Sequence, residues 1–123
     1  MATILLVEDD LPLLELYESA LATSHQVLAV DSVQSALALL EKGEVVDLIV
    51  LDLNLPDAPG TVLIEEMASF PEYAHLPVVV MTGFKHLGAQ QMAENVVEVL
   101  TKPVTISSLQ RIVRAALHES SER

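Results

Sequence analysis

In Asp47-Leu48-Ile49-Val50-Leu51-Asp52, four consecutive aliphatic residues stand between two aspartates. A short aliphatic run of this kind predicts a strand that is buried on both faces of a parallel sheet. The chain then turns through Asn54-Leu55-Pro56-Asp57-Ala58-Pro59-Gly60. Open α/β sheets bind their ligands at the carboxyl ends of such strands. Asp52 is therefore the first candidate for a functional residue.

Four more short aliphatic runs predict the other strands of the sheet. They are Ile4–Val7, Val27–Val30, Val78–Met81 and Val96–Leu100. Continuous, β-branched runs are typical of parallel strands, because helices cover both faces of the sheet. Five buried strands and an aliphatic core are expected.

Segments with helical periodicity separate these runs. Apolar residues recur at helical spacing behind two candidate N-caps, Ser32 and Thr105. Another helix is predicted to begin near Asp10, and a third to run from about Thr61 to Phe70, where a proline ends it. Between Phe84 and Val96 the apolar stripe is irregular, and a loosely held fourth helix is expected there.

Five alternating strand–helix units predict an α/β fold of (βα)5 type. Right-handed crossovers place helices on both faces of a doubly wound, five-stranded parallel sheet with strand order 2-1-3-4-5. The sequence has no linker, internal repeat or low-complexity stretch. Residues 1–123 are therefore predicted to form one domain, with residues 118–123 as a tail or the start of a linker.

Composition limits the functions that this chain can have. The 123 residues are 51% hydrophobic and carry a net charge of −12, which argues against nucleic-acid binding by this domain. There is no cysteine, no usual signal peptide, and no apolar run of membrane-spanning length. We expect a cytoplasmic protein that does not engage a membrane.

Polar side chains stand at four of the predicted strand ends. Strands 1 and 3 are neighbours in the predicted sheet, so Glu8, Asp9 and Asp52 should converge at one edge. Clustered carboxylates raise one another's pKa and need a neutralising partner, and Mg²⁺ prefers such oxygen ligands. Thr82 can donate a hydroxyl and Lys102 an ammonium. Together these groups suit phosphoryl transfer.

Each of these residues also has a plain structural explanation. With 18 acidic residues, an acidic cluster can be a solvated loop, and a strand-end Asp, Thr or Lys-Pro can be an ordinary turn. Their joint occurrence at four strand ends favours a functional site.

Four motifs resemble the receiver domain of bacterial two-component response regulators, a flavodoxin-like family. The motifs are Ile-Leu-Leu-Val-Glu-Asp-Asp (4–10), Asp-Leu-Asn-Leu-Pro-Asp-Ala-Pro-Gly (52–60), Val-Val-Val-Met-Thr-Gly (78–83) and Leu-Thr-Lys-Pro (100–103). They occur in order over the whole chain, at nearly the spacing of that family.

The resemblance implies a role for each site residue. Asp52 would be the phosphoacceptor, and Mg²⁺ would be bound by Asp9, by Asp52, by the main-chain carbonyl of Asn54 and, through water, by Glu8. The Thr82 hydroxyl would hydrogen-bond the phosphoryl group. Lys102 would pair with Asp52 and later with a phosphoryl oxygen, and the family usually holds the following peptide bond to proline in the cis form.

The implied function is signalling rather than metabolic catalysis. The phosphoryl group would come from a histidine kinase or a histidine phosphotransfer protein, and the domain would catalyse its own phosphorylation and slow dephosphorylation. The new charge would shift the population between two conformations. The resemblance also allows a homodimer or an attached effector domain.

Some positions depart from the pattern of the family. Val99 stands where the family usually has a Tyr or Phe that reports phosphorylation, and the stretch from Thr82 to Lys102 is about two residues shorter than usual. Pro59 replaces a common Asp before Gly60. These departures lead to the hypothesis that the domain signals through a non-standard surface, or acts as a relay or phosphate sink.

Two other functions remain to be weighed. A phosphohydrolase or phosphomutase could use Asp52 as its nucleophile, but it needs an acid–base residue at position 54, and Asn54 cannot act as one. A pseudo-receiver would be an interaction module that works without phosphorylation. Such modules typically lose one of the acids, the phosphoacceptor or the lysine, and this chain retains all of them.

Overall fold

The sheet has the five strands that the aliphatic runs predict. The structure is a computed structural model that describes residues 1–83 and 92–121. The strands are β1 (Thr3–Val7), β2 (Gln26–Val30), β3 (Leu48–Asp52), β4 (Val78–Thr82) and β5 (Val96–Thr101). All are parallel, in the order β2-β1-β3-β4-β5. The predicted fold class and strand order are confirmed.

Four helices are described, namely α1 (Leu11–Ala22), α2 (Val33–Glu41), α3 (Gly60–Met67) and α4 (Ile106–Ser121). The N-cap of α1 is Asp10, whose side chain accepts a hydrogen bond from the backbone N–H of Leu13. Ser32 caps α2 in the same way. The predicted fourth helix falls largely on residues 84–91, which lie outside the described residues.

Two helix ends differ from the sequence-based expectation. The helix α3 ends at Met67 and not at Phe70, because tighter turn bonds take over, such as the bond from the Phe70 N–H to the Met67 carbonyl. The helix α4 extends through Ser121, so residues 118–121 of the predicted tail are helical. Among the described helices, none combines the length and apolar character that crossing a bilayer requires.

The sheet separates two aliphatic cores. On one face, Leu5, Val7 and Leu51 pack with residues of α2 and α3. On the other face, Ile4 and Leu6 pack with residues of α1 and α4. Since successive residues of a strand point to opposite faces, the continuous aliphatic runs fill both cores. Polar side chains stand instead at the carboxyl ends of the strands, as Glu8, Asp52 and Thr82 do.

Candidate functional site

Three carboxylates meet at the carboxyl ends of β1 and β3. These strands are neighbours, and Val7 pairs with Leu51 one residue before Glu8 and Asp52. One oxygen from each of Glu8, Asp9 and Asp52 lies within 4.8 Å of the others. Glu8 and Asp52 are buried, whereas Asp9 is exposed. The cluster therefore has two desolvated carboxylates and one that opens to solvent.

The side chain of Lys102 reaches into this cluster from the end of β5. Its Nζ lies 3.0 Å from Oδ2 of Asp52 and 3.0 Å from Oε1 of Glu8. The peptide bond that follows, Lys102-Pro103, is cis. The pairing with Asp52 was expected from the family resemblance, but the second ion pair with Glu8 was not. No local sequence signal shows which carboxylates a lysine at another strand end will contact.

The charges of the cluster change the acidity of its members. Burial raises the pKa of Glu8 from 4.5 to about 7; the Asp52 carboxylate adds to this rise, and the Lys102 ammonium opposes it. Burial also lowers the pKa of Lys102, but its bonds to Glu8 and Asp52 outweigh this effect and leave that pKa raised. One ammonium thus pairs with the two buried acids of the cluster.

A divalent cation fits the charge and chemistry of this group. Carboxylate oxygens are the ligands that Mg²⁺ prefers, and the exposed Asp9 gives an ion access to the buried pair. Asp9 and residues 53–59 line a cleft at this place. A bound cation would offset the burial and the nearby Asp52 carboxylate that together raise the pKa of Glu8.

Thr82 occupies the end of β4, between the strands that carry Asp52 and Lys102. Thr82 is fully buried, and its main-chain carbonyl accepts a hydrogen bond of 2.7 Å from the N–H of Lys102. Met81, one residue earlier, is paired with Asp52 across the sheet. The four strand ends that carry the predicted site residues thus lie along one edge of the sheet.

The loop that follows β3 is closed upon itself. The Gly60 N–H donates to the Leu53 carbonyl at 2.9 Å, and Asn54 forms a bridge with Pro59. The Asn54 N–H donates to Oδ1 of Asp52 at 3.0 Å. A Cβ at position 60 would lie 2.5 Å from the carbonyl oxygen of Asp52, so only glycine fits there. The loop therefore leaves β3 in one compact conformation.

Sequence reasoning missed one residue of this loop. The Asp57 carboxylate accepts hydrogen bonds from the backbone N–H groups of Val33 and Gln34, at the start of α2. These residues lie more than twenty positions away along the chain. Helix caps can be recognised in sequence only when the capping residue is adjacent to the helix.

Comparison with known proteins gives a consistent result. Residues 4–114 match the response regulator receiver domain family. A relative is the response regulator protein FleR of Pseudomonas aeruginosa, 34% identical over 115 residues. The match covers 91% of this chain but 24% of FleR, so the chain spans about a quarter of the length of that relative.

Solved structures share the fold. The signal receiver domain of a LuxO repressor protein from Vibrio parahaemolyticus superposes with a TM-score of 0.85 at 24% identity, covering 98% of this chain and 92% of that one. The receiver domain of the sensor histidine kinase PA1611 from Pseudomonas aeruginosa gives 0.82 at 24% identity, covering 95% and 98%. That structure holds a magnesium ion in its active-site cleft.

Proposed function

Because the chain belongs to the response regulator receiver domain family, a family of signalling domains, we propose that Asp52 is its phosphoacceptor. One observation carries this proposal. Asp52 is a buried carboxylate at the end of β3, and its Oδ2 lies 3.0 Å from Nζ of Lys102. The end of β3 holds this nucleophile in place, and the ammonium lies where it can pair with the negative charge of the carboxylate and then of the phosphoryl group.

In this proposal, Mg²⁺ is bound by Asp9, by Asp52 and by the main-chain carbonyl of Asn54. Glu8 binds it through a water molecule. The acidic cluster supports this assignment, since it holds three carboxylates and the Lys102 ammonium pairs with only two of them, Glu8 and Asp52. When bound, Mg²⁺ supplies positive charge against the phosphoryl oxygens and helps to orient them. The magnesium in the cleft of the PA1611 receiver domain supports the same choice of metal.

The protein side chains have separate tasks in the transfer. An oxygen of Asp52 forms the new bond to phosphorus while the bond from phosphorus to the histidine nitrogen of the donor breaks. The electron pair of that bond goes to the imidazole. Lys102 then moves from the carboxylate to a phosphoryl oxygen, and Thr82 donates its hydroxyl to another. Attack by water later restores the Asp52 carboxylate and releases phosphate.

The donor in this proposal is a phosphohistidine of a histidine kinase or a histidine phosphotransfer protein. Since the domain brings its own carboxylates and donors, it also accepts phosphoryl groups from small donors such as acetyl phosphate. This self-catalysed phosphorylation and slow dephosphorylation distinguish it from a pseudo-receiver, which would form no adduct. A homodimer or an attached effector domain would carry the signal onward.

Val99 bears on the output of the domain. Its side chain is partly buried against the core on the α2 and α3 face, where an aromatic reporter is usual in the family. We propose output through a non-standard surface, or a relay or phosphate-sink role. A crystal structure of the protein with a bound phosphoryl analogue tests this, because a dimer through β4, β5 and the last helix would contradict it.

Intact-mass spectrometry after incubation with Mg²⁺ and acetyl phosphate tests the phosphoacceptor. We expect a phosphoryl adduct on the wild type and none on Asp52→Asn. Asp31→Asn is the matched control, because it removes the same charge from an exposed aspartate and should leave the adduct intact. An adduct that survives in Asp52→Asn would overturn the assignment, and an adduct missing from the wild type would favour the pseudo-receiver.

A further inference from the structure

The Asp57 carboxylate links the loop after β3 to a helix on one face of the sheet. Its Oδ1 accepts the Val33 N–H at 3.1 Å, and its Oδ2 accepts the Gln34 N–H at 2.9 Å. Both contacts are made by one exposed side chain in the middle of the loop. Two bonds to consecutive amides fix the orientation of the carboxylate as well as its position.

These bonds complete the N-terminus of α2. A helix begins with N–H groups that have no partner inside the helix. Oγ of Ser32 accepts the N–H of Ser35 at 3.0 Å, and Asp57 accepts the two preceding N–H groups. The helix is thus capped jointly by a neighbouring residue and by a distant loop.

The charge of Asp57 suits this position. The hydrogen bond from Gln34, and after it the bond from Val33, hold the pKa of the Asp57 carboxyl below its ordinary value against the opposing effect of burial. A carboxylate also interacts favourably with the positive end of the helix dipole. The anchor is therefore ionised at neutral pH.

The anchored loop is the one that leaves the phosphoacceptor. It is closed by the bond from the Gly60 N–H to the Leu53 carbonyl, and the Asn54 N–H donates to the carboxylate of Asp52. Because the loop is compact, a restraint at Asp57 acts on its whole backbone. The main chain of Asn54, which lies beside the acidic cluster, is held by the same restraint.

We infer that Asp57 is a positioning residue for the metal site: by tying the β3–α3 loop to α2, it holds the main-chain carbonyl of Asn54 where a cation between Asp9 and Asp52 can use it. The inference rests on the proposed function. Asp57 does not touch the metal or the phosphoryl group; it acts through the loop backbone, as an outer partner that orients a ligand.

Two variants separate positioning from simple helix capping. Asp57→Ala and Ser32→Ala each remove a cap of α2, so both should lower the melting temperature of the protein. Only Asp57→Ala should weaken Mg²⁺ binding to the full chain, by about fivefold in isothermal titration calorimetry. This is less than the tenfold or more that is usual for direct outer partners of a ligand, because Asp57 acts through the loop. Asp31→Ala, an exposed aspartate just before α2, controls for the lost charge.

A second measurement needs no metal. Hydrogen exchange at the Gly60 amide, compared with the amides of β3, reports on closure of the loop. We expect faster exchange in Asp57→Ala and unchanged exchange in Ser32→Ala. If the two variants bind Mg²⁺ equally well and exchange alike, Asp57 is only a cap and the inference is wrong. If the wild type itself binds no Mg²⁺, the proposed metal site fails first, and the inference falls with it.

Discussion

Folding shifts the pKa of a carboxyl group in opposite directions in two regions, the acidic cluster at the strand ends and the β3–α3 loop. Glu8, in the cluster, has a pKa raised to about 7, chiefly by burial. Asp57, in the loop, has a pKa lowered by hydrogen bonds, chiefly that from Gln34. The two residues lie on either side of Asp52 in the chain, yet folding favours the neutral form of one and the charged form of the other.

The difference shows what each region is built to do. Oriented N–H donors stabilise the ionised form of Asp57, so the loop is complete without any further ligand. The cluster places two acids out of water with one ammonium between them, so the metal-free protein keeps an electrostatic cost there. The loop uses a carboxylate for structure, whereas the cluster is the place where we propose that a cation binds.

Adding Mg²⁺ to the cluster should change the stability of the protein more than any of the other changes below. At a Mg²⁺ concentration 100 times its Kd, binding to the folded state alone raises the free energy of unfolding by about 2.7 kcal/mol. Urea denaturation at constant ionic strength measures it. Asp52→Asn, at the same Mg²⁺ concentration, should gain less than half of this, because it lacks one ligand. Equal gains in both proteins would mean that the ion binds elsewhere.

Removing the ammonium should have the next largest effect. Lys102→Met leaves Glu8 and Asp52 without their shared partner, and we expect it to lower the free energy of unfolding by about 2 kcal/mol in metal-free buffer at pH 8. This is less than for a fully buried pair, because the Lys102 side chain is 24% exposed. Lys42→Met, at an exposed lysine, is the control and should change stability by about 0.5 kcal/mol or less. Equal losses would show that the ion pairs add nothing.

The titration of Glu8 should change the stability of the protein less than the loss of the ammonium does. Since its pKa rises from 4.5 to about 7 on folding, the folded state binds more protons than the unfolded state between these pH values. The free energy of unfolding of the metal-free protein should therefore fall as pH rises through this window, on the order of 1 kcal/mol. This is less than the full pKa shift would give, because the exposed Asp9 and the partly exposed Lys102 open the cluster to solvent. Glu8→Gln should abolish this part of the slope in urea titrations. A variant with the same slope as wild type would remove Glu8 as the cause.

The pH dependence of stability that comes from Asp57 should be the smallest of these effects. Its sign should be opposite to that of Glu8. A lowered pKa in the folded state means that its stabilising contribution is present above the unfolded value of 3.8 and is lost as pH falls below it. The difference in melting temperature between wild type and Asp57→Asn should therefore shrink in acid. Asp31→Asn serves as the reference for an exposed aspartate. A difference that stays constant down to low pH would contradict the role of the ionised carboxylate.

Much of the fold was predictable because its signals are local. The run before Asp52 and the other four aliphatic runs become the five strands, and β5 extends only one residue beyond the predicted Val96–Leu100. The N-cap Ser32 was recognisable for the same reason, since it lies beside its helix, and so was the start of α1 near Asp10. The end of α3 was harder to predict, because a last turn of tighter bonds competes with the α-helical pattern there.

The sequence by itself determined which chemical groups stand at the strand ends, because strand periodicity and turn residues are encoded within a few positions. Only the tertiary structure decided that Lys102 bonds to both Glu8 and Asp52, from 94 and 50 positions away. It also decided that burial raises the pKa of Glu8, and that Asp57 caps a helix preceding it in the chain. Burial and long-range hydrogen bonds depend on how the strands and loops assemble, and no short stretch of the chain contains that information.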